Sequence, residues 1–168
     1  MSQHTDDPYL KLRPPPATPP DELCHCLGHP AIKLMCALSY NPVHCLDCNL
    51  EIEPASLPLP TQLIEPIAAW RSDYDAIDRL WLASGEYEVW AKAQLSDITS
   101  PINIGALHLR ARLDPVRRCY LWYFQDQSAD PFIPITQCPS CGNAFTAYDS
   151  GIFAQYICED CGIVIVGI

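Results

Sequence analysis

The sequence predicts an α+β fold, with a central helical region of about three helices set between two small cysteine-built β modules. Three observations predict it. Cys138, Cys141, Cys158 and Cys161 form two C-x2-C pairs separated by sixteen residues, each followed by a glycine, Gly142 or Gly162. A third pair, Cys45 and Cys48, follows the irregular run Cys24-His25-Cys26-Leu27-Gly28-His29. Between these ends, apolar residues recur at three- and four-residue steps, the period of an amphipathic helix.

The C-terminal spacing is what four thiolates need to surround one zinc ion tetrahedrally. Each pair sits on a tight turn, and the following glycine lets the backbone fold under the metal. Residues 138–168 therefore read as a zinc ribbon. Phe145-Thr146-Ala147 and Phe153 to Tyr156 pair across the turn Asp149-Ser150-Gly151, and Ile163 to Val166 supply the last strand. A four-cysteine iron site would share this geometry. A closed four-thiolate site builds structure and leaves no position open for chemistry.

Residues 23–53 read as a second, zinc-ribbon-like module. Cys45 and Cys48 are its regular half. The other half is Cys26 with His29, or Cys24 with Cys26. The first pair is preferred, because two intervening residues allow the usual chelating turn. The expected ligands are then Cys26, His29, Cys45 and Cys48, and the expected cofactor is two Zn(2+) per chain. The apolar run from Ala31 to Ser39 is expected to cross this module as a strand. Cys36 and Cys119 read as small buried hydrophobes.

The middle of the chain begins after a proline-bearing linker, residues 54–60. Leu63, Ile64, Ile67, Trp70, Tyr74, Ile77, Leu80 and Trp81 mark one helix, with Thr61 as its N-cap and Gly85 as its stop. A short second helix is expected from about Glu86 to Leu95, burying Val89, Trp90 and Ala93. Ser100-Pro101 caps and opens a third, which ends near Leu113 before Asp114-Pro115. Arg117 to Phe124 reads as a strand apolar on both faces, with Cys119, Leu121 and Tyr123 opposite Tyr120, Trp122 and Phe124. The expected divisions are thus a proline-rich tail at 1–22, the N-terminal module at 23–53, helices and aromatic strand at 54–124, and the ribbon at 125–168.

Composition narrows the function. The formal charge is −10, from ten Lys and Arg against twenty Asp and Glu, and thiolate-bound zinc makes it more negative. Such a surface repels phosphate backbones and suits a basic protein partner. Ten cysteines without an export signal point to metal in the cytoplasm rather than to disulfides. No apolar run reaches the length of a membrane span. There is no phosphate-binding glycine loop and no G-x-S-x-G nucleophile turn. Only the N-terminal module, if one metal position were open to water, would allow zinc chemistry. The H-x-E and directly adjacent proline of the zinc deaminases are missing there.

Arg110, Arg112, Arg117 and Arg118 stand beside Tyr120, Trp122, Tyr123 and Phe124 and offer a nucleic-acid reading through charge and stacking. The competing reading is stronger. Arg110 and Arg112 oppose the dipole at a helix C-terminus, and the aromatics fill the core.

Trp70-x2-Asp73-Tyr74-x-Ala76-x-Asp78, Ser84-Gly85, Gln94-Leu95-Ser96-Asp97, Cys138-Pro139-Ser140-Cys141-Gly142, Ile152-Phe153 and Cys158-x2-Cys161 occur in that order. This set, spread over residues 42–165, resembles an uncharacterised bacterial zinc-ribbon-containing family for which a nucleic-acid role has been suggested. The resemblance implies zinc at Cys138, Cys141, Cys158 and Cys161, and nothing catalytic. The Cys24–His29 segment departs from the family pattern.

The sequence thus points to a non-enzymatic zinc-binding protein working through protein contact. The acidic stretch 61–97 is its expected docking surface for a basic partner. An inhibitor or immunity protein is one concrete form. A nucleic-acid-binding ribbon is the alternative, and a zinc enzyme a distant third.

Overall fold

A computed structural model describes residues 14, 16–36 and 40–167. Most of the expected 1–22 tail, and the end of the 31–39 run, lie outside those residues. The elements in chain order are β1 (Ile32–Leu34), β2 (Val43–Cys45), α1 (Thr61–Ala83), α2 (Glu88–Ser96), α3 (Pro101–Leu113), β3 (Cys119–Trp122), β4 (Thr146–Asp149), β5 (Ala154–Cys158) and β6 (Ile163–Val166). The fold is mixed α+β.

The six strands form one sheet in the order β2-β1-β3-β6-β5-β4. β3 lies at its middle, parallel to β1 on one side and to β6 on the other. The outer pairs are antiparallel. The two cysteine-rich ends of the chain are therefore continuous through β3.

The sheet is covered on both faces, which is why β3 is apolar on both. Ile32 pairs with Cys119 and Leu34 with Leu121. All four face the helices, where Leu63, Ile67, Trp70, Leu109 and Leu113 meet them in the main core. Alternation sends Tyr120 to the other face, against Leu46, Ile157 and Val164. Alternation fails at the end of the strand. Phe124 was expected beside Tyr120 and Trp122 but turns back into the helical core, edge-on to Trp81 with ring centroids 4.8 Å apart.

The helices follow the apolar period with three differences. Thr61 is the first helical residue, not the cap. Pro60 precedes the helix in an extended conformation, and its carbonyl accepts the Leu63 N–H at 2.8 Å. Ile64 is exposed. α2 buries Ala91 and Leu95, while Val89 is 84% exposed, Trp90 51% exposed and Ala93 exposed. Nine residues starting at Glu88 give α2 one narrow buried face, and it is not the face that begins at Val89. α3 is opened as its sequence indicates, with Ser100 accepting the Asn103 N–H. Asn103 is buried and donates its side-chain amide to the carbonyls of Leu95 at 2.9 Å and Asp97 at 2.8 Å, which closes the end of α2. The Trp70 indole donates to the Ile102 carbonyl at 3.1 Å and ties α1 to α3.

Candidate metal centres

The sheet brings two groups of four cysteines together, Cys24, Cys26, Cys45 and Cys48 in one and Cys138, Cys141, Cys158 and Cys161 in the other. Within each group all sulfurs lie within 4.8 Å of one another. All ten cysteines are free thiols. The Sγ atoms of Cys141 and Cys158 are 3.6 Å apart. That matches the edge of a tetrahedron with metal–sulfur bonds of about 2.3 Å, roughly 3.8 Å. Two thiol sets of this kind are positioned to hold two metal ions, and four sulfurs in a tetrahedral array suit zinc.

The C-terminal set is built from two matching turns. The Cys138 carbonyl accepts the Gly142 N–H at 2.8 Å, and the Cys158 carbonyl accepts the Gly162 N–H at 2.9 Å. Both glycines are left-handed, with φ +76° and +62°. At Gly162 a side chain would also collide with the Arg110 guanidinium.

The N-terminal set has one such turn. The Cys45 carbonyl accepts the Asn49 N–H at 3.1 Å, and Asn49 takes the glycine's place with φ +65°. Asparagine is the side chain that best tolerates this conformation. An Asn directly after a C-x2-C pair is the sequence signal that would have marked this turn as a match for the other two.

The other half of this set corrects the expectation of Cys26 with His29. Cys24 stands with Cys26, and His29 lies outside the cluster. The backbone turns at Gly28 and His29, with φ +80° and +54°, and carries the exposed imidazole to Arg117, 3.1 Å from its guanidinium. The usual two-residue chelating gap is thus replaced by a one-residue gap.

Burial pushes the Cys45 and Cys138 thiols up to about 12. An unloaded set therefore holds protons that a metal must displace. Lys33 is fully buried on β1, where burial pushes its ammonium down to about 7 while Cys45 and Cys48 pull it up. Its ammonium donates to the Gln155 side-chain carbonyl at 3.2 Å and sits 4.3 Å from the Trp122 ring centroid. Nothing in the local pattern of β1 announces a buried lysine.

The arginines of the nucleic-acid reading sit mostly around the C-terminal set. Arg118 donates to the Glu159 carbonyl at 2.5 Å and to its carboxylate at 2.8 Å, and to Asp114 at 3.1 Å. Glu159 lies inside the Cys158–Cys161 turn. Arg110 packs over Gly162 and donates to the Cys119 carbonyl at 3.4 Å. Arg117 meets His29, and Arg112 is exposed on α3. Tyr120, Tyr123 and Phe124 are buried.

No known protein family, no curated protein and no solved structure matches the chain. Among the described residues no helix is long and apolar enough to cross a membrane.

Proposed function

We propose that this chain is a non-enzymatic zinc-binding protein that works by docking a basic protein partner. The observation that carries the reading is that each candidate metal set is complete in cysteine. Four sulfurs fill a tetrahedral ion and leave no position for water or substrate. Four cysteines at the N-terminal set support a closed site over a zinc enzyme there. The C-terminal set then serves as structure, tying the Cys138–Gly142 turn to the Cys158–Gly162 turn. Thiol ligands of this kind call for a reducing compartment such as the cytoplasm. The matching turns and the β4-β5-β6 meander fit a zinc ribbon, and they fit the family resemblance of residues 42–165.

The docking face is the helical layer. A groove of about 740 Å³ runs between α1, α2 and α3, walled by Trp70, Ile77, Trp90, Ile102 and Leu109, with Asp73 on its lining. Trp90, 51% exposed, adds apolar surface to the wall of this groove. Asp75 is already held between Arg71 and Arg79, whereas Asp73 on the groove lining has no such ion pair among the described residues and is placed to meet a basic partner. A nucleic-acid role is disfavoured, because Arg110 and Arg118 already have partners around the C-terminal set.

Affinity capture from host extract tests the reading with two baits, the native chain and a variant carrying Asp73→Lys with Trp90→Ala. A stoichiometric basic protein held by the first and released by the second is the expected result. A partner held equally by both would overturn the docking face. Salt-sensitive binding of single- or double-stranded nucleic acid, lost in Arg117→Ala with Arg118→Ala, would favour the alternative.

A further inference from the structure

We propose that the N-terminal four-cysteine set is an exchangeable metal site, taking up and releasing a soft divalent cation while the rest of the fold stays in place. The proposal rests on the zinc-binding reading and adds a division of labour between the two sets.

The two sets differ in how much of each is organised before a metal arrives. In the C-terminal set both halves are closed turns, each with its own backbone hydrogen bond and left-handed glycine. Arg118 and Arg110 brace one of them from outside. In the N-terminal set only the Cys45–Asn49 half is of that make. It is also fixed independently of any metal. Gln155 on β5 donates to the Leu46 carbonyl at 2.8 Å, and the Tyr148 hydroxyl on β4 donates to the Asp47 carboxylate at 2.5 Å.

The Cys24–Cys26 half has no such turn. With one residue between the cysteines, the nearest closing contact is the Cys26 N–H to the Cys24 sulfur at 3.5 Å. Cys24 is half-buried and anchored by its N–H to the Glu51 carbonyl at 2.8 Å. From His25 to His29 every residue is exposed. The side chains that tether this run are His25, 2.9 Å from the Pro20 carbonyl, and His29 on Arg117. Metal is therefore the main tie between Cys26 and the sheet.

A preformed half and a recruited half give a particular behaviour. Binding must order the 24–29 segment, and that ordering is subtracted from the affinity. Each set has one exposed cysteine, Cys26 in one and Cys141 in the other, but Cys141 is held in a closed turn whereas Cys26 sits on an exposed run that can move aside for an incoming ligand. Release frees the 24–29 segment and leaves the Cys45–Asn49 turn on Gln155 and Tyr148.

The test is a chelator titration of the two-zinc protein with hydrogen-exchange mass spectrometry at each step. One zinc should leave first, at a rate or chelator concentration separated from the second on the order of tenfold, the ordering cost of one or two side chains. Exchange protection should fall first in residues 24–29, while 138–162 and β3 stay protected. Cys26→Ser should remove the early phase and keep one tightly held zinc. The native protein carries the test if that variant fails to fold. Release of both ions in a single phase, or first loss of protection at 138–162, would overturn the exchange proposal. Failure to take up two zinc ions when the protein is reconstituted with excess zinc would overturn the two-site metal reading beneath it, a separate and earlier failure.

Discussion

Gln155 donates its side-chain amide to the carbonyl of Leu46 at 2.8 Å, although 109 residues separate them. The same side chain accepts from the Lys33 ammonium at 3.2 Å, and it is 1% exposed. One amide thus joins β5, beside the C-terminal set, to the turn of the N-terminal set. Replacing Gln155 with Leu keeps the volume but strands a buried carbonyl and a buried ammonium. A loss of about 2–4 kcal/mol is expected, since buried polar groups left unpaired lose their full solvation. Urea unfolding of the zinc-loaded protein measures it. A change under about 0.5 kcal/mol would mean that this bond does not join the two halves.

Lys33 gives a pH dependence. Burial pushes its ammonium down from the ordinary 10.5 to about 7, with the Cys45 and Cys48 charges pulling the other way. Between those values the unfolded chain binds a proton that the folded chain has lost, so stability rises with pH across that window. Below it both states are protonated, and the folded protein carries the whole burden of a buried charge. Lys33→Met should abolish the rise. Unfolding midpoints of both proteins, compared from neutral to alkaline pH at equal zinc content, read the difference. Parallel curves would show that Lys33 keeps its ordinary value in the fold.

Arg118 is assigned here to the metal turn. It holds the Glu159 carbonyl and carboxylate, and Glu159 lies between two ligands of the C-terminal set. Removing a group that orients metal ligands typically weakens metal binding by about 10- to 100-fold. Arg118→Ala should therefore weaken the tighter zinc in chelator competition and leave the other unchanged. Equal affinities in variant and native protein would return this arginine to the surface.

The sequence made the C-terminal set legible because both of its turns carry the C-x2-C-Gly pattern in full. The helices were legible from their period, as was the β3 strand from its apolar run. The faces of α2 were not, since a nine-residue helix gives too few turns for period to fix its rotation. Spacing rules favour the two-residue gap of Cys26 with His29 over Cys24 with Cys26, and the left-handed turn at Gly28 and His29 overrides them. Lys33 and Gln155 were invisible for another reason. Each sits in a short strand, and they meet because one sheet carries both β1 and β5, with β3 and β6 between them. Contacts of that range leave no local pattern.

Asn49 offers the finest test of the turn geometry. Its φ of +65° matches Gly142 and Gly162, and its N–H closes the same ring onto the first cysteine of the pair. A β-carbon in the left-handed region is disfavoured by about 1 kcal/mol for most residues, less for asparagine, and not at all for glycine. Asn49→Gly should therefore hold zinc as well as the native chain does. Asn49→Ala should lose about 1 kcal/mol of stability and weaken the N-terminal zinc. Asn49→Val should lose more, because a β-branched side chain fits this conformation worst. The order Gly, Asn, Ala, Val in zinc retention under chelator is the outcome that a left-handed turn requires. A valine variant equal to the glycine variant would show that position 49 is not left-handed when the metal is bound.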